Sequence, residues 1–200
     1  MRPIALLGLC LLTLLACLPA AARAANADDI VGFDDLVLDA PYDAAKAGDT
    51  PQAPIMIGGV QFDQASRGLN LAFGDVTLEG DLAVRTYKGR IQAIVITMVV
   101  PPAMDIKDIE AFAQGYRASA KTKYKDCKVL LDTFNDQAGV LALKDPDSDG
   151  LSLIWDVAKL SIVYQTSVMG DANVRENAAD SKAAQPDAPP ATSEKPSRVH

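Results

Sequence analysis

Histidine is almost missing from this 200-residue sequence, in which the sole histidine stands at position 200. Without an internal histidine, the chain lacks the base of Ser-His-Asp and Cys-His catalysis and the ligands of His-containing zinc sites. No glycine-rich phosphate loop is present, because Gly58-Gly59 is not followed by the lysine and helix that such a loop requires. A hydrolase would have to use carboxylate pairs such as Asp34-Asp35, and no spacing singles out one pair. The sequence therefore predicts a protein that is not an enzyme and needs no cofactor.

Cysteine is also scarce, with three residues, Cys10, Cys17 and Cys127. Once the N-terminal leader described below is removed, Cys127 is alone and has no partner for an intrachain disulfide, so the domain must depend on its core. Because no internal histidine is available as a base, we interpret Cys127 as a packing residue in a strand. An intermolecular disulfide is the alternative.

Long apolar runs are confined to the beginning of the chain. Met1 to Ala24 has a basic start, an apolar run from Ile4 to Leu18 and the small-x-small sequence Ala22-Arg23-Ala24, which are typical of a cleaved signal peptide. We therefore expect a periplasmic or secreted protein of a bacterial envelope whose mature chain begins at Ala25. The alternative is a lipoprotein box at Leu14-Leu15-Ala16-Cys17, in which lipidated Cys17 would anchor the protein to a membrane. No later stretch has the ~20 apolar residues of a spanning helix.

Basic residues are outnumbered in the expected mature chain, which has 17 basic and 26 acidic residues and a net charge of −9. This charge argues against nucleic acid or an anionic membrane surface as a partner. Four lysines cluster near the end of a predicted helix, where cations suit the helix dipole, and we interpret them as a solvated surface rather than a ligand-binding patch: Lys121, Lys123, Lys125 and Lys128.

The strongest β signal runs from Leu69 to Val100 and predicts three antiparallel strands with tight turns at Gly74-Asp75 and Lys88-Gly89. In the last strand, Ile91 to Val100, both faces are apolar, which predicts a central strand covered on both sides. The alternation predicts Ile94, Ile96 and Met98 on one face, and Ile91, Val95 and Val99 on the other.

The residues before this region predict shorter elements. Asp28 to Asp39 alternates like one strand, Pro41 to Gly48 forms a helix of one or two turns, and Asp49 to Pro54 is a loop. Ile55 to Phe62 returns to β structure with a bulge or kink at Gly58-Gly59.

After the β region, Asp105 is the predicted N-cap of a helix from Ile106 to about Lys123 that packs on the sheet. Four further strands follow: Cys127 to Thr133, Gly139 to Lys144, Leu151 to Trp155 and Leu160 to Thr166. The fold class is therefore α+β, with a mainly antiparallel sheet of meanders and hairpins, one long helix packed on it and a short N-terminal helix. A helix precedes about four strands twice, without a residue-level repeat.

The composition divides the chain into three parts. Residues 1–24 form the signal peptide, residues 25–170 form a single domain, and residues 171–200, rich in Ala, Asp, Ser and Pro, form a disordered tail.

One local motif indicates a metal. Asp145-Pro146-Asp147-Ser148-Asp149-Gly150, followed by Asp156, matches the first, third, fifth, sixth and twelfth positions of an EF-hand calcium loop. The twelfth ligand is Asp rather than Glu, Leu153 occupies the ninth position, and both flanks are predicted strands, so a polar hairpin turn is the competing interpretation. We predict the turn, with calcium bound by Asp145, Asp147, Asp149 and Asp156 as the alternative.

Together, these features favour an exported, non-enzymatic envelope protein that binds a protein partner or a small ligand through its sheet or loops. The alternative function is a calcium-binding module that uses the Asp145 to Asp156 loop.

Overall fold

The structure is a computed structural model that describes residues 29–73, 76–101, 104–156 and 158–183. The first half of the described chain contains the strands β1 (Gly32–Phe33), β2 (Leu36–Val37), β3 (Thr50–Ile57), β4 (Val60–Phe73), β5 (Val76–Tyr87) and β6 (Arg90–Val99). The second half contains β7 (Lys128–Phe134), β8 (Ala138–Lys144), β9 (Gly150–Asp156) and β10 (Lys159–Gln165). The helices are α1 (Ala44–Ala47), α2 (Ile106–Lys123) and α3 (Ser167–Ala183).

Strands β3 to β10 form one eight-stranded sheet in the order β3-β4-β5-β6-β10-β9-β8-β7. All its pairings are antiparallel, which confirms the prediction of a mainly antiparallel sheet. The sheet consists of two four-stranded meanders, β3–β6 and β7–β10, whose last strands pair at the centre with Ile96 opposite Ile162. A helix precedes each meander, so the predicted outline of helix and four strands occurs twice in the fold.

One face of this sheet, the covered face, carries the main core. Helix α2 coincides with the predicted range, and the Asp105 side chain caps it by accepting a 3.0 Å hydrogen bond from the Lys107 N–H. From α2, Ile109, Phe112, Ala113 and Ala120 are buried against the sheet. The N-terminal segment adds Ile30, Leu36 and Leu38 to the same cluster. The side chains supplied by the sheet include Leu78, Leu82, Ile94, Ile96, Leu141, Leu153, Trp155 and Ile162.

The prediction for Ile91 is wrong, because this residue belongs to the covered face with Ile94. Ile91 pairs with Thr86 and Ala93 pairs with Arg85, so Gln92 is an extra residue in β6. Such a bulge shifts the alternation by one residue and brings Ile91 to the face of Ile94. Val95 packs on the opposite face as predicted, whereas Val99 is 65% exposed.

The single strand predicted for Asp28 to Asp39 is also wrong. This segment is a tight antiparallel hairpin of β1 and β2, in which Phe33 pairs with Leu36. The reversal uses left-handed backbone at Asp34, with a φ of 56°, a conformation that Asp tolerates better than most residues. Apolar alternation alone did not mark this turn.

The prediction for residues 49–62 needs two corrections. Gly58-Gly59 is a hairpin turn between β3 and β4, with φ values of 54° and 77°, and not a bulge within one strand. The predicted loop Asp49 to Pro54 is largely β3, which begins at Thr50 and includes Pro51 and Pro54. Prolines are tolerated there because β3 is an edge strand of the sheet.

The predicted tail is ordered beyond Gly170, since α3 continues to Ala183. Met169 and Ala172 are fully buried and form a second cluster with Phe62 and Ala93 on the face opposite α2. Alanine is the best helix former. This alanine-rich segment therefore forms a helix although it has few large apolar residues, once Met169 and Ala172 pack on the sheet. Disorder is therefore the wrong prediction for residues 171–183. Residues 184–200 and the predicted signal peptide, residues 1–24, lie outside the described residues.

Candidate functional site

The predicted calcium motif lies in the turn between β8 and β9, where Asp145 and Asp149 are buried. One carboxylate oxygen of Asp145 accepts a hydrogen bond from the Asp149 N–H at 2.9 Å, and the other accepts one from the Ile30 N–H at 3.2 Å. The Asp149 carboxylate accepts one from the Ser167 N–H at 3.2 Å. These two side chains therefore attach the N-terminal segment and the start of α3 to the turn.

Asp156 does not join them. It lies at the far end of β9, roughly 20 Å from Gly150 for a strand of this length. Its carboxylate accepts hydrogen bonds from the N–H groups of Ala158 and Lys159, at 2.8 and 2.9 Å. The structure thus brings Asp145 and Asp149 together, with exposed Asp147 in the same turn, and separates them from Asp156. Across the described ranges, no group of three or more His, Cys, Asp or Glu residues could hold a metal ion.

Tyrosines, buried at Tyr164 and half-buried at Tyr42 and Tyr116, form two polar contacts, one on the covered face and one near α1. The hydroxyl groups of Tyr116 and Tyr164 lie 2.7 Å apart, and burial raises the pKa of Tyr164 to about 12. The Tyr42 hydroxyl donates to Asp49, whose other oxygen lies 3.0 Å from Arg67. Cys127 is buried in the main core, in agreement with its interpretation as a packing residue. These groups hold elements together within the fold.

The face opposite α2, here called the open face, is different because α3 covers only one end of it. Helix α3 leaves the end of β10, crosses β6 and reaches the turn between β3 and β4, with contacts to these elements. At that turn, the Gly58 N–H donates to Glu176 at 2.6 Å and Arg175 donates to the Gly58 carbonyl at 3.1 Å. Among the described residues, no helix therefore lies over much of β8, β9 and β10 on this face.

A groove of about 520 Å³ lies on the open face along one flank of α3. Its floor comes from β5, β6, β9 and β10, and its wall comes from the part of α3 between Met169 and Asn177. Val95 and Val163, which pair across β6 and β10, are the apolar centre of the floor, and Ser152 and Ser161 separate them from Ile154, which is 47% exposed. A second groove, of about 330 Å³, lies near Val174 and Leu130.

Arg85 lines the larger groove together with Lys159 and Glu176, and sequence reasoning did not single it out. Its Nε donates a long hydrogen bond of 3.4 Å to the Gln64 side chain, and burial lowers the pKa of its guanidinium. In the described part of the chain, no carboxylate lies within ion-pair distance of Arg85. The sequence placed Arg85 on the polar face of its strand, and that pattern gave no sign that a groove would partly bury it.

The outer edge of the sheet at β7 carries a second apolar surface. Val129, Leu130 and Leu131 are each about half exposed, and Leu131 pairs with Ala142 on the open face. Among the described residues, β7 pairs only with β8. The opposite edge strand, β3, is protected by Pro51 and Pro54, whereas β7 contains no proline.

Comparisons with known proteins give no family for this arrangement. No protein-family model matches the chain, and searches of the curated proteins and of the solved structures returned no significant match. The fold itself defines a protein of mostly antiparallel sheet, one eight-stranded and one two-stranded, with a few helices. No helix in the described ranges is both long and apolar enough to span a membrane.

Proposed function

We propose that this protein is an exported, non-enzymatic binding protein of the bacterial envelope that holds a small ligand in the groove along α3. The observation that carries the proposal is the groove itself, whose partly apolar floor lies beside a half-buried arginine without a carboxylate partner among the described residues. Its volume, about 520 Å³, lies within the range of small-molecule sites. The proposal treats the chain as one α+β domain, extended beyond residue 170 to the end of α3.

The attachment of α3 supports a site that can admit a ligand. Met169 and Ala172 are the buried apolar contacts of this helix with the second cluster, while Val168 and Val174 are exposed. The remaining attachments are polar and close to solvent, such as the 3.1 Å hydrogen bond between Asn173 and Gln165. A helix that buries so little apolar area belongs to the less stable part of a fold, where ligand-binding elements are usually found.

A protein partner at β7 is the second candidate function. A row of unpaired backbone groups along an edge strand can pair with an extended peptide, and exposed aliphatic side chains beside it add apolar contacts. Leu130, Leu131 and Ile154 provide such contacts at this edge and on the adjoining open face. The absence of proline from β7, in contrast to β3, favours this interpretation.

The test is to express the chain with its own leader in a bacterial host and to purify it without denaturation. A pull-down from envelope extract, run in parallel, tests for a bound protein partner. Solvent extracts are analysed by mass spectrometry for the wild type, for Ser161→Trp, which fills the groove, and for Thr77→Trp, an exposed position of β5 outside it. We expect a small molecule to be retained by the wild type and Thr77→Trp and lost from Ser161→Trp. The intact mass, expected to begin at Ala25, distinguishes cleavage from lipidation at Cys17.

Two results would contradict the small-ligand proposal. One is a wild-type protein that retains nothing. The other is an envelope protein captured equally by wild type and Ser161→Trp and lost on Leu130→Arg, which would favour the partner at β7.

A further inference from the structure

The position of Arg85 specifies the chemistry of a ligand in the groove. A partly buried guanidinium has lost part of its hydration, and burying a charge is unfavourable unless an opposite charge or good hydrogen bonds compensate. The one hydrogen bond to Gln64, at 3.4 Å, is weak compensation. The guanidinium is planar and offers paired N–H groups, which match the two oxygens of a carboxylate or phosphate group.

The neighbours of Arg85 favour a ligand head group with one negative charge. Asn173 and Asn177 line the groove from α3 and can donate hydrogen bonds through their amide groups. Glu176 lines the groove as well, and its carboxylate accepts the Gly58 N–H at 2.6 Å. A fixed negative charge in the lining of the groove repels a dianion more than a monoanion. A carboxylate or a phosphodiester therefore fits better than a phosphate monoester.

The floor of the groove leads away from Arg85 over a mixture of apolar side chains, small hydroxyl side chains and, at its far end, Lys159. Arg85 pairs with Ala93 on β6, the next residues along this face are Val95 and Val163, and Ile154 lies beyond them on β9. Three strand spacings of about 4.8 Å and a shift of four residues at about 3.3 Å each separate Ile154 from Arg85 by roughly 20 Å. An apolar chain of this length attached to the anionic group would cover the exposed floor.

We propose that the groove along α3 binds an amphiphile whose singly charged carboxylate or phosphodiester group pairs with Arg85 and whose apolar chain lies over Val95, Val163 and Ile154. The inference rests on the proposed function and specifies its ligand.

The test uses dodecanoate, below its micelle concentration, titrated into the purified full chain and followed by calorimetry. Arg85→Gln removes the charge and keeps much of the stem, and Arg85→Lys keeps the charge without the paired N–H groups. Arg90→Gln is the matched control, because Arg90 pairs with Asp39 at an exposed site that does not line the groove. Circular dichroism confirms that each variant is folded.

We expect Arg85→Gln to weaken dodecanoate binding about 10- to 100-fold, Arg85→Lys to weaken it less, and Arg90→Gln to leave it within about twofold. Lysophosphatidylglycerol, a phosphodiester amphiphile, should behave like dodecanoate, while dodecyl maltoside, which is neutral, should bind weakly and respond little to Arg85→Gln. Equal dodecanoate affinity in wild type and Arg85→Gln would overturn the inference. Acetate or inorganic phosphate binding as tightly as dodecanoate would overturn it too, by showing a site for free anions.

These outcomes are separate from those of the proposed function. A molecule retained by the wild type, lost from Ser161→Trp and unaffected by Arg85→Gln would leave the binding function in place and refute the role of Arg85. A wild type that retains nothing natively and binds none of the probes would refute both.

Discussion

Two adjacent glycines allow a sharp test of how α3 is held on the open face. Gly58 and Gly59 form the turn between β3 and β4 and both have positive φ, 54° and 77°. A Cβ atom at Gly58 would overlap the Ala172 carbonyl oxygen of α3, whereas a Cβ atom at Gly59 would meet nothing within 4 Å. Alanine at either site carries the same backbone penalty, roughly 1–2 kcal/mol. Only Gly58→Ala also forces α3 away from the turn.

The extra cost at Gly58 follows from what α3 buries. Full burial of Met169 is worth roughly 1.5–3 kcal/mol, and the Ala172 methyl group adds about 0.8 kcal/mol. The hydrogen bonds of Gly58 with Glu176 and Arg175 are exposed and add about 1 kcal/mol at most. Because the helix can pivot about its start and keep some of these contacts, we expect Gly58→Ala to weaken α3 docking by about 2–3 kcal/mol more than Gly59→Ala does.

Hydrogen exchange measures this difference directly. Trp155 lies in the main core under α2 and would report global unfolding in urea, while the amides of α3 report its local detachment. We expect α3 amides to exchange roughly 30- to 150-fold faster in Gly58→Ala than in Gly59→Ala. Similar exchange rates of the α3 amides in the two variants would show that α3 does not pack against this turn. That result would refute the close contact between Gly58 and the Ala172 carbonyl.

Two further predictions concern carboxylates. Asp145→Asn should destabilise the protein by about 1–3 kcal/mol, because an amide NH₂ would face the N–H of Ile30 or Asp149, whereas exposed Asp136→Asn in the turn between β7 and β8 should change urea stability by less than about 0.5 kcal/mol. Equal losses of stability in the two variants would contradict the role assigned to Asp145, whose carboxylate attaches the N-terminal segment to the turn. For Asp132, hydrogen bonds from Arg117 and then Lys121 lower the pKa to about 2, so the stability it contributes is present above the unfolded pKa of about 3.9 and lost as the pH falls toward 2. Asp132→Asn should flatten the pH dependence of stability between about 4 and 2, and a profile unchanged from that of the wild type would contradict this assignment.

The sequence predicted those elements whose periodicity is strong and local. Helix α2, its cap at Asp105 and the central position of β6 follow from alternation, helical spacing and the N-cap preference of Asp. Helix α3 escaped prediction because its docking depends on one methionine and one alanine that meet a matching surface. That surface, formed by Phe62 and Ala93, comes from strands far away in the sequence.

The candidate site was predictable only in part, for a geometrical reason. The turn at Asp145 to Gly150 was predictable from its residues, but the strand that follows it carries Asp156 away from the other carboxylates. For Arg85, the sequence predicts a polar face on β5 and nothing more. The partial burial of Arg85 depends on the strand order β5-β6-β10 and on the path of α3. The alternation of polar and apolar residues within β5 predicts neither of them.

The extra residue Gln92 explains why the groove lies where it does. The bulge it creates brings Ile91 to the covered face, and Thr166, just before α3, donates from its backbone N–H to the Gln92 carbonyl at 2.9 Å. The Thr166 hydroxyl also donates to the Gln92 side chain, at 2.7 Å, within a buried site. These bonds fix the first turn of α3 beside β6, and from there the helix runs toward β3 rather than over the open face of β8 and β9. The groove therefore lies beside the point where the chain leaves β10, and the extra residue of the central strand holds that point in place.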